Sequence, residues 1–439
     1  MSINYRQGQV PLPDLRHSWS RYLWLLAMLG GILLLGLVFL ATRAISNRNR
    51  TSQEGGLAPA ALSFQISQTG VDAAEPVTAL AGDGTFYVAW VNHDAKQADV
   101  MIARFNSDGA MQGEPVRVNR QAGVATAWRG DQPSIAVAQD GSVYVVWTAR
   151  VDDGDKHGTD LYLSVSNDRA QSFSGEVKIN DDNQIGAHGM HSLAVANDGR
   201  VYVSWLDERD VHTPKPSSKG EGHHMESNRD LFIASSTDGG RTFSRNRKVA
   251  SEACPCCKTA LAVSREGILY AGWRQVLPGN FRHIAVAAST DGGTTFSSPK
   301  IVSDDRWVLQ GCPVSGPSLA VDANGKLKVL WYAAGEANAP GLYVSESIDK
   351  GNSFSPRQLL SQETVRGTPA LTPGKDGAIA LWQGGSQSET KVSDFGKAGS
   401  TLSVAVNAEL PAGVVSNGRL FVAYIAKEKE KRSVWLRKV

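Results

Sequence analysis

The sequence predicts an all-β protein: a β-propeller of four-stranded antiparallel blades, preceded by one N-terminal transmembrane helix. Three observations carry this. A strand–turn–strand phrase recurs along the chain, six copies of it ending in Trp. After roughly the first fifty residues no long window shows the 3.6-residue apolar period of a helix, while Gly and Ser-Asn-Asp-Gly clusters recur throughout. Near the N-terminus, 21 consecutive residues carry no charge.

That uncharged stretch, Tyr22–Thr42, reads "YLWLLAMLGGILLLGLVFLAT". At about 1.5 Å per residue it crosses the roughly 30 Å hydrocarbon core of a bilayer. A cleaved signal peptide is the alternative, but its apolar region is shorter, and Ala41-Thr42-Arg43-Ala44 is a poor cleavage site. Arg6, Arg16 and Arg21 before the span balance Arg43, Arg48 and Arg50 after it, so basic residues do not orient it. We read residues 1–21 as a short cytoplasmic tail, 22–42 as the anchor, 43–60 as a polar linker and 61–439 as the propeller domain. This places a single-pass protein in the inner membrane, with its body in the periplasm or outside the cell. Gly30, Gly31 and Gly36 would let the span approach a membrane-protein partner. The formal charge of +2 gives no footprint for nucleic acid.

The repeated phrase is a small apolar strand, a tight Asp-Gly or Asn-Gly turn and an aromatic-rich strand. Examples are "SIAVAQDGSVYVVW", "SLAVANDGRVYVSW" and "SLAVDANGKLKVLW"; the terminal residues are Trp90, Trp147, Trp205, Trp273, Trp331 and Trp382. A weaker copy, "GVVSNGRLFVAY", ends at Tyr424. Third strands such as "DLFIASS" and short fourth strands such as "SPKIVS" follow most copies, which makes each unit a propeller blade. The count reads as seven blades, with six as the alternative. The last copy lacks a fourth strand, and "LSFQIS" after the linker is expected to supply it, joining the two chain ends in one sheet.

Between third and fourth strands lies a second motif: "SNDRAQSF", "STDGGRTF", "STDGGTTF" and "SIDKGNSF", starting at Ser166, Ser236, Ser289 and Ser347. Its aspartates, Asp168, Asp238, Asp291 and Asp349, are expected to accept backbone N–H bonds within the turn rather than to do chemistry. These four Asp boxes, also called BNR repeats, resemble those of the sialidase-like superfamily, which holds sialidases, other glycoside hydrolases and non-catalytic binding propellers. The resemblance implies a divergent sialidase or related hydrolase acting on a sialoside or other glycan, or a scaffold binding glycan or protein. Sialidases use an arginine triad, a Tyr nucleophile assisted by Glu, and an Asp acid/base. The Arg-Ile-Pro phrase that usually carries the first arginine is missing here. The candidates that the resemblance offers are Arg150, Arg209 and Arg274 for the triad, with Asp207, Glu208 and Tyr332 beside them. Solvated strand ends, or ion pairs with Asp207 and Glu208, are the alternative for these arginines.

The cysteines point elsewhere. Three of the four stand in "SEACPCCKTALAV" (Cys254, Cys256, Cys257), and Cys312 stands in the echo "LQGCPVSGPSLAV". Both phrases, with "IGAHGMH", are fourth-to-first connections, which share one propeller face with the second-to-third loops. That face collects every cysteine and His93, His157, His188, His191, His212, His223, His224 and His283, leaving only His17 out. Aligned on Leu-Ala-Val, Cys254 and Cys312 are equivalent, and His188 is level with Cys256. His191 lies three residues nearer the strand, and Trp128, Arg129 and Asp131 enter from the preceding blade. These residues are expected to converge on the channel mouth. Three chemistries remain open: disulfides (Cys254 with Cys312, and a vicinal Cys256–Cys257 pair); a metal site; or a redox thiol pair in "CPCC". The metal ligands would be Cys254, Cys256, Cys257, Cys312, His188 and His191, with His223, His224 and Met225 in reserve on the long loop 211–229. Soft sulfur and imidazole suit copper, or zinc where the site is tetrahedral.

Overall fold

The computed structural model describes residues 63–439, apart from 96, 127–129, 155, 212–226, 310–312, 336–339, 375–376 and 429–430. The tail, span and linker therefore lie outside the described residues. So do His17, Trp128, Arg129, His212, His223, His224, Met225 and Cys312. Among the described residues no helix is long and apolar enough to cross a membrane.

Among the described residues every element is a β-strand in antiparallel pairing, and the strands form five four-stranded sheets and one eight-stranded sheet. The eight-stranded sheet is two four-stranded units joined where Ala253 pairs with Gln275. We number the seven units, or blades, in chain order: 72–117, 134–178, 188–253, 260–301, 318–361, 366–405, and 408–438 with Ser63–Gln65. The first strand of each blade touches the first strands of its two neighbours, the last blade meeting the first, in a propeller-like arrangement. In the last blade Ser63–Gln65 pairs with Lys431–Lys438 in the register Ser63↔Arg437, so the two ends of the domain share one sheet.

The repeated tryptophans explain the period. Trp90, Trp147, Trp205, Trp273, Trp331 and Trp382 are all buried. Burial removes the indole N–H from water, so each needs an acceptor. In three blades the acceptor stands two residues on: Asn92 at 2.8 Å, Asp207 at 2.8 Å and Gln275 at 2.7 Å. Elsewhere Ser164, Asp305 and Glu363 supply it from another strand or loop.

The four Ser-x-Asp turns share one bonding scheme. Each Asp Oδ1 accepts the N–H four residues on, at 2.9 Å from Ser172, 3.0 Å from Thr242, 2.9 Å from Thr295 and 2.9 Å from Ser353. The preceding Ser hydroxyl donates to the same carboxylate. These bonds hold all four carboxyls below the ordinary carboxylate range. Glycine is required at Gly240, where φ is +84° and a Cβ would stand 2.5 Å from Leu163 Cδ2.

Candidate functional site: a buried sulfur cluster

The fourth strand of blade 3 ends at Ala253, and the chain reaches blade 4 at Ala260. Backbone bonds clamp the connection: Cys254 N–H to Arg274 O at 2.8 Å, Cys257 N–H to Cys254 O at 3.3 Å, and Thr259 N–H to Met190 O at 2.9 Å. Arg229 adds a bond from Nη1 to Pro255 O at 3.0 Å. A short loop held at both ends folds its side chains inward, and Cys254, Cys256 and Cys257 are all buried. Their Sγ atoms lie within 4.8 Å of one another.

The three sulfurs are not equivalent. Cys256 is disulfide-bonded, whereas Cys254 and Cys257 are free thiols. This corrects both expected disulfides: Cys254 does not pair with Cys312, nor Cys256 with Cys257. The partner of Cys256 is not among the described residues. Cys254 Sγ receives the Cys257 S–H at 3.4 Å and Arg282 Nη1 at 3.0 Å. The Cys257 bond, aided by the charges of Arg282 and Arg274, lowers the Cys254 thiol below the usual thiol range against the opposing effect of burial. Burial and the adjacent Cys254 push Cys257 the other way. The two thiols are thus pushed in opposite directions, Cys254 toward the thiolate and Cys257 toward the protonated donor.

Arg274, whose backbone O accepts the Cys254 N–H, is fully buried. Its Nε and Nη2 donate to Ser315 O at 3.0 and 2.8 Å, and Nη2 also to Tyr332 O at 2.9 Å. Its guanidinium stacks 4.8 Å from the Trp307 ring, and Trp307 meets the Tyr332 ring edge-on. Nη1 has no hydrogen-bond partner among the described residues. Arg274 thus meets the cysteine loop through its backbone O, while its side chain ties together Ser315, Tyr332 and Trp307.

Among the described residues, neither His188 nor His191 belongs to the sulfur cluster. His188 forms a second cluster with Asp182 and Asp207. Its Nδ1–H donates to Thr159 O at 2.6 Å, and Nε2 faces Asp182 Oδ1 at 3.1 Å and Asp207 Oδ2 at 3.6 Å. Burial opposes the charged ring, but the bond to Asp182 and the two carboxylate charges prevail and raise its pKa. Asp207 is spoken for: it accepts Trp205 Nε1 at 2.8 Å, Arg209 N at 2.8 Å and Arg209 Nε at 3.0 Å. With Nδ1 given to a carbonyl, Nε2 facing Asp182 and Asp207 bonded to Trp205 and Arg209, this cluster is held together as an ion-pair network.

His191 sits in a third place. Its Nδ1 meets Ser134 Oγ at 2.9 Å, and Nε2 lies 3.7 Å from Asp131 Oδ1 without a hydrogen bond. Burial, with the nearby Lys258 ammonium, pushes its pKa well down, so the ring is neutral.

The residues named from the sialidase resemblance are likewise engaged from within. Arg209 reaches Asp181 at 2.7 Å as well as Asp207. Glu208 accepts Arg229 Nε at 2.9 Å and Ala187 N–H at 2.8 Å. Arg150 is half-exposed beside Asp152 at 2.8 Å. Arg150, Arg209 and Arg274 hold three separate sets of partners and do not form a common clamp. The residues missed from sequence are Arg282, Arg229 and Asp182. Each is an ordinary polar residue on a strand or loop, and only the third dimension gives it a partner.

No family model matches the chain, and no curated protein matches it. Solved structures do. A protein of unknown function from Dyadobacter fermentans matches with a TM-score of 0.50 at 13% identity, covering 86% of this chain and 97% of that one. A Hadza microbial sialidase matches with a TM-score of 0.50 at 13% identity, covering 86% and 68%. An ulvan lyase of a polysaccharide lyase family matches with a TM-score of 0.50 at 12% identity, covering 85% and 94%. At such identities the likeness is one of fold: this chain shares the all-β, propeller-like architecture on which a sialidase and a polysaccharide lyase are built.

Proposed function

We propose that this protein is a membrane-anchored, extracytoplasmic seven-bladed propeller whose sulfur cluster takes up a soft metal ion, copper before zinc, in support of a membrane-protein partner. The supporting observation is the Cys254 Sγ, which meets Arg282 Nη1 at 3.0 Å, with two further sulfurs within 4.8 Å. A thiolate is the form of cysteine that ligates metal. Thiolates without imidazole suit Cu(I), whereas zinc asks for four ligands. Two free thiols serve while the Cys256 disulfide is closed, and reduction of that bond adds a third sulfur, so uptake is linked to redox state. The anchor at 22–42 would keep the site at the outer surface of the inner membrane.

The test is elemental analysis of the full chain in detergent, loaded with Cu(I) under reducing, anaerobic conditions, beside Cys254→Ser. Wild type should carry stoichiometric copper and the variant should lose it. Reduced wild type without copper ends the proposal.

The fold shared with a sialidase and an ulvan lyase supports a second reading, a divergent glycoside hydrolase. The internal partners of Arg209 and Arg274 weigh against it. Turnover of a fluorogenic sialoside, abolished by Arg274→Ala in a folded protein, would promote it. A non-catalytic scaffold for glycan or protein is what remains if both tests fail.

A further inference from the structure

One end of the propeller axis opens into a cavity of about 200 Å³, lined by the heads of first strands from several blades. Its walls carry three chemistries: the carboxylates of Glu75 and Glu409, the guanidinium of Arg432, and the apolar side chains of Val314, Leu410 and Ile425. Glu75 is the unusual member. Its side chain is 2% exposed, and Oε2 is held by Nε2 of the buried His93 at 2.6 Å. Among the described residues Oε1 has no hydrogen-bond partner. Glu75 is part of the cavity wall, so a donor arriving in the cavity can meet this oxygen.

The backbone around the cavity tells the same story. Glu75, Val314 and Leu410 have φ of +56°, +45° and +45°. Gly367 is at +70°, where a Cβ would stand 2.5 Å from Leu410 Cδ2. A left-handed residue at the head of the first strand also occurs at Met190 in blade 3, away from this cavity, so the bulge belongs to the blade plan. Bulges re-aim side chains. What is particular here is the cargo: a β-bulge points a strained, non-glycine Glu at the cavity and a histidine holds it there.

We infer that this cavity binds a small zwitterion, an α-amino acid with an apolar side chain. Glu75 and Glu409 would take its ammonium group, Arg432 its carboxylate, and Val314, Leu410 and Ile425 its side chain. The volume lies below that of drug-sized sites, which start at about 300 Å³, and so selects a ligand of this size. His93 acts as a positioning residue for Glu75. The site shares no residue with the sulfur cluster and does not depend on it.

The experiment is isothermal titration of the full chain in detergent with L-leucine, L-isoleucine and L-valine. Isoamylamine, which lacks the carboxylate, isocaproate, which lacks the ammonium, and glucose are the controls. At least one amino acid should bind saturably, with each control at least tenfold weaker. Glu75→Gln and Arg432→Ala should each weaken binding at least tenfold, with buried-tryptophan fluorescence unchanged. Because Glu75 is buried and its variant is liable to misfold, Glu409→Gln carries the same expectation from a more exposed position. Absence of binding by all three amino acids, binding of glucose or isoamylamine as tight as theirs, or wild-type affinity in the folded variants overturns the inference.

Discussion

Two buried polar clusters stand on blade 3 and its junction with blade 4, and both group three potential metal ligands within 4.8 Å. In the Asp182–His188–Asp207 cluster every strong group already has a partner. Thr159 and Asp182 take the imidazole, while Trp205 and Arg209 take Asp207. In the Cys254–Cys256–Cys257 cluster the donors are weaker and fewer, and they converge on the sulfur of a free cysteine whose pKa they lower. Proximity of ligand types is therefore a poor guide to a metal site. What separates the two is whether the chain has used up the lone pairs itself.

The largest effect should come from emptying the saturated cluster. Asp207→Ala strands the His188 and Arg209 charges and the Trp205 N–H in the interior, and should cost about 3–5 kcal/mol in denaturant unfolding. A loss under about 1 kcal/mol would mean that the network is not holding blade 3, and the contrast between the clusters would fall.

Next comes Arg282→Ala, which removes a charge-assisted bond of about 1.5–3 kcal/mol from the thiolate. Followed by thiolate ultraviolet absorbance, the Cys254 titration should move up by about 1–2 pH units. An unmoved midpoint would leave Arg282 without a part in its acidity. Cys257→Ala deletes a neutral donor and should move the same titration upward, by a step nearer 1 kcal/mol than 3. Cys257→Ser keeps a donor and should move it less. If serine and alanine act alike, the S–H···S⁻ bond is not what stabilises the thiolate.

The smallest effect is a pH profile. His188 is raised above its unfolded value, so its contribution is complete below the ordinary imidazole range and is lost as pH rises through the folded value. Asp182 is depressed, so its contribution is present above the ordinary carboxylate range and is lost as pH falls through its folded value. Together they make the network strongest between about pH 4 and 6.5. Melting curves should weaken on the alkaline side of that window in wild type and flatten there in His188→Gln. An alkaline limb unchanged by the substitution would show that the folded ring is uncharged.

Much of the fold was legible because a blade is a local object. The Trp at the end of each second strand, the turn before it and the Ser-x-Asp turn after the third strand are set by residues within a few positions of each other. Even the closure by Ser63–Gln65 was readable, as a missing strand and a spare one. The site was legible only in part. The cysteine phrase located a buried cluster, but aligning His188 with Cys256 did not bring them together. A charged ring in the interior goes to the carboxylates that can neutralise it: Asp207 stands on its own blade and Asp182 on the connection that leads into it. Arg274 looked like a ligand clamp because it follows a Trp, yet two carbonyls, Ser315 O and Tyr332 O, claim it.

By itself, then, the amino-acid order determined the repeat: strand period, turn chemistry and an apolar residue for each interior position recur every blade and act over short separations. Only the tertiary structure decided which polar groups meet. Their partners come from other strands and other blades, as Cys254 finds Arg282 and Arg274 finds Ser315 and Tyr332, and burial makes the choice of partner decisive. Hydrophobic pattern has a period that can be read along a chain; hydrogen-bond satisfaction has none.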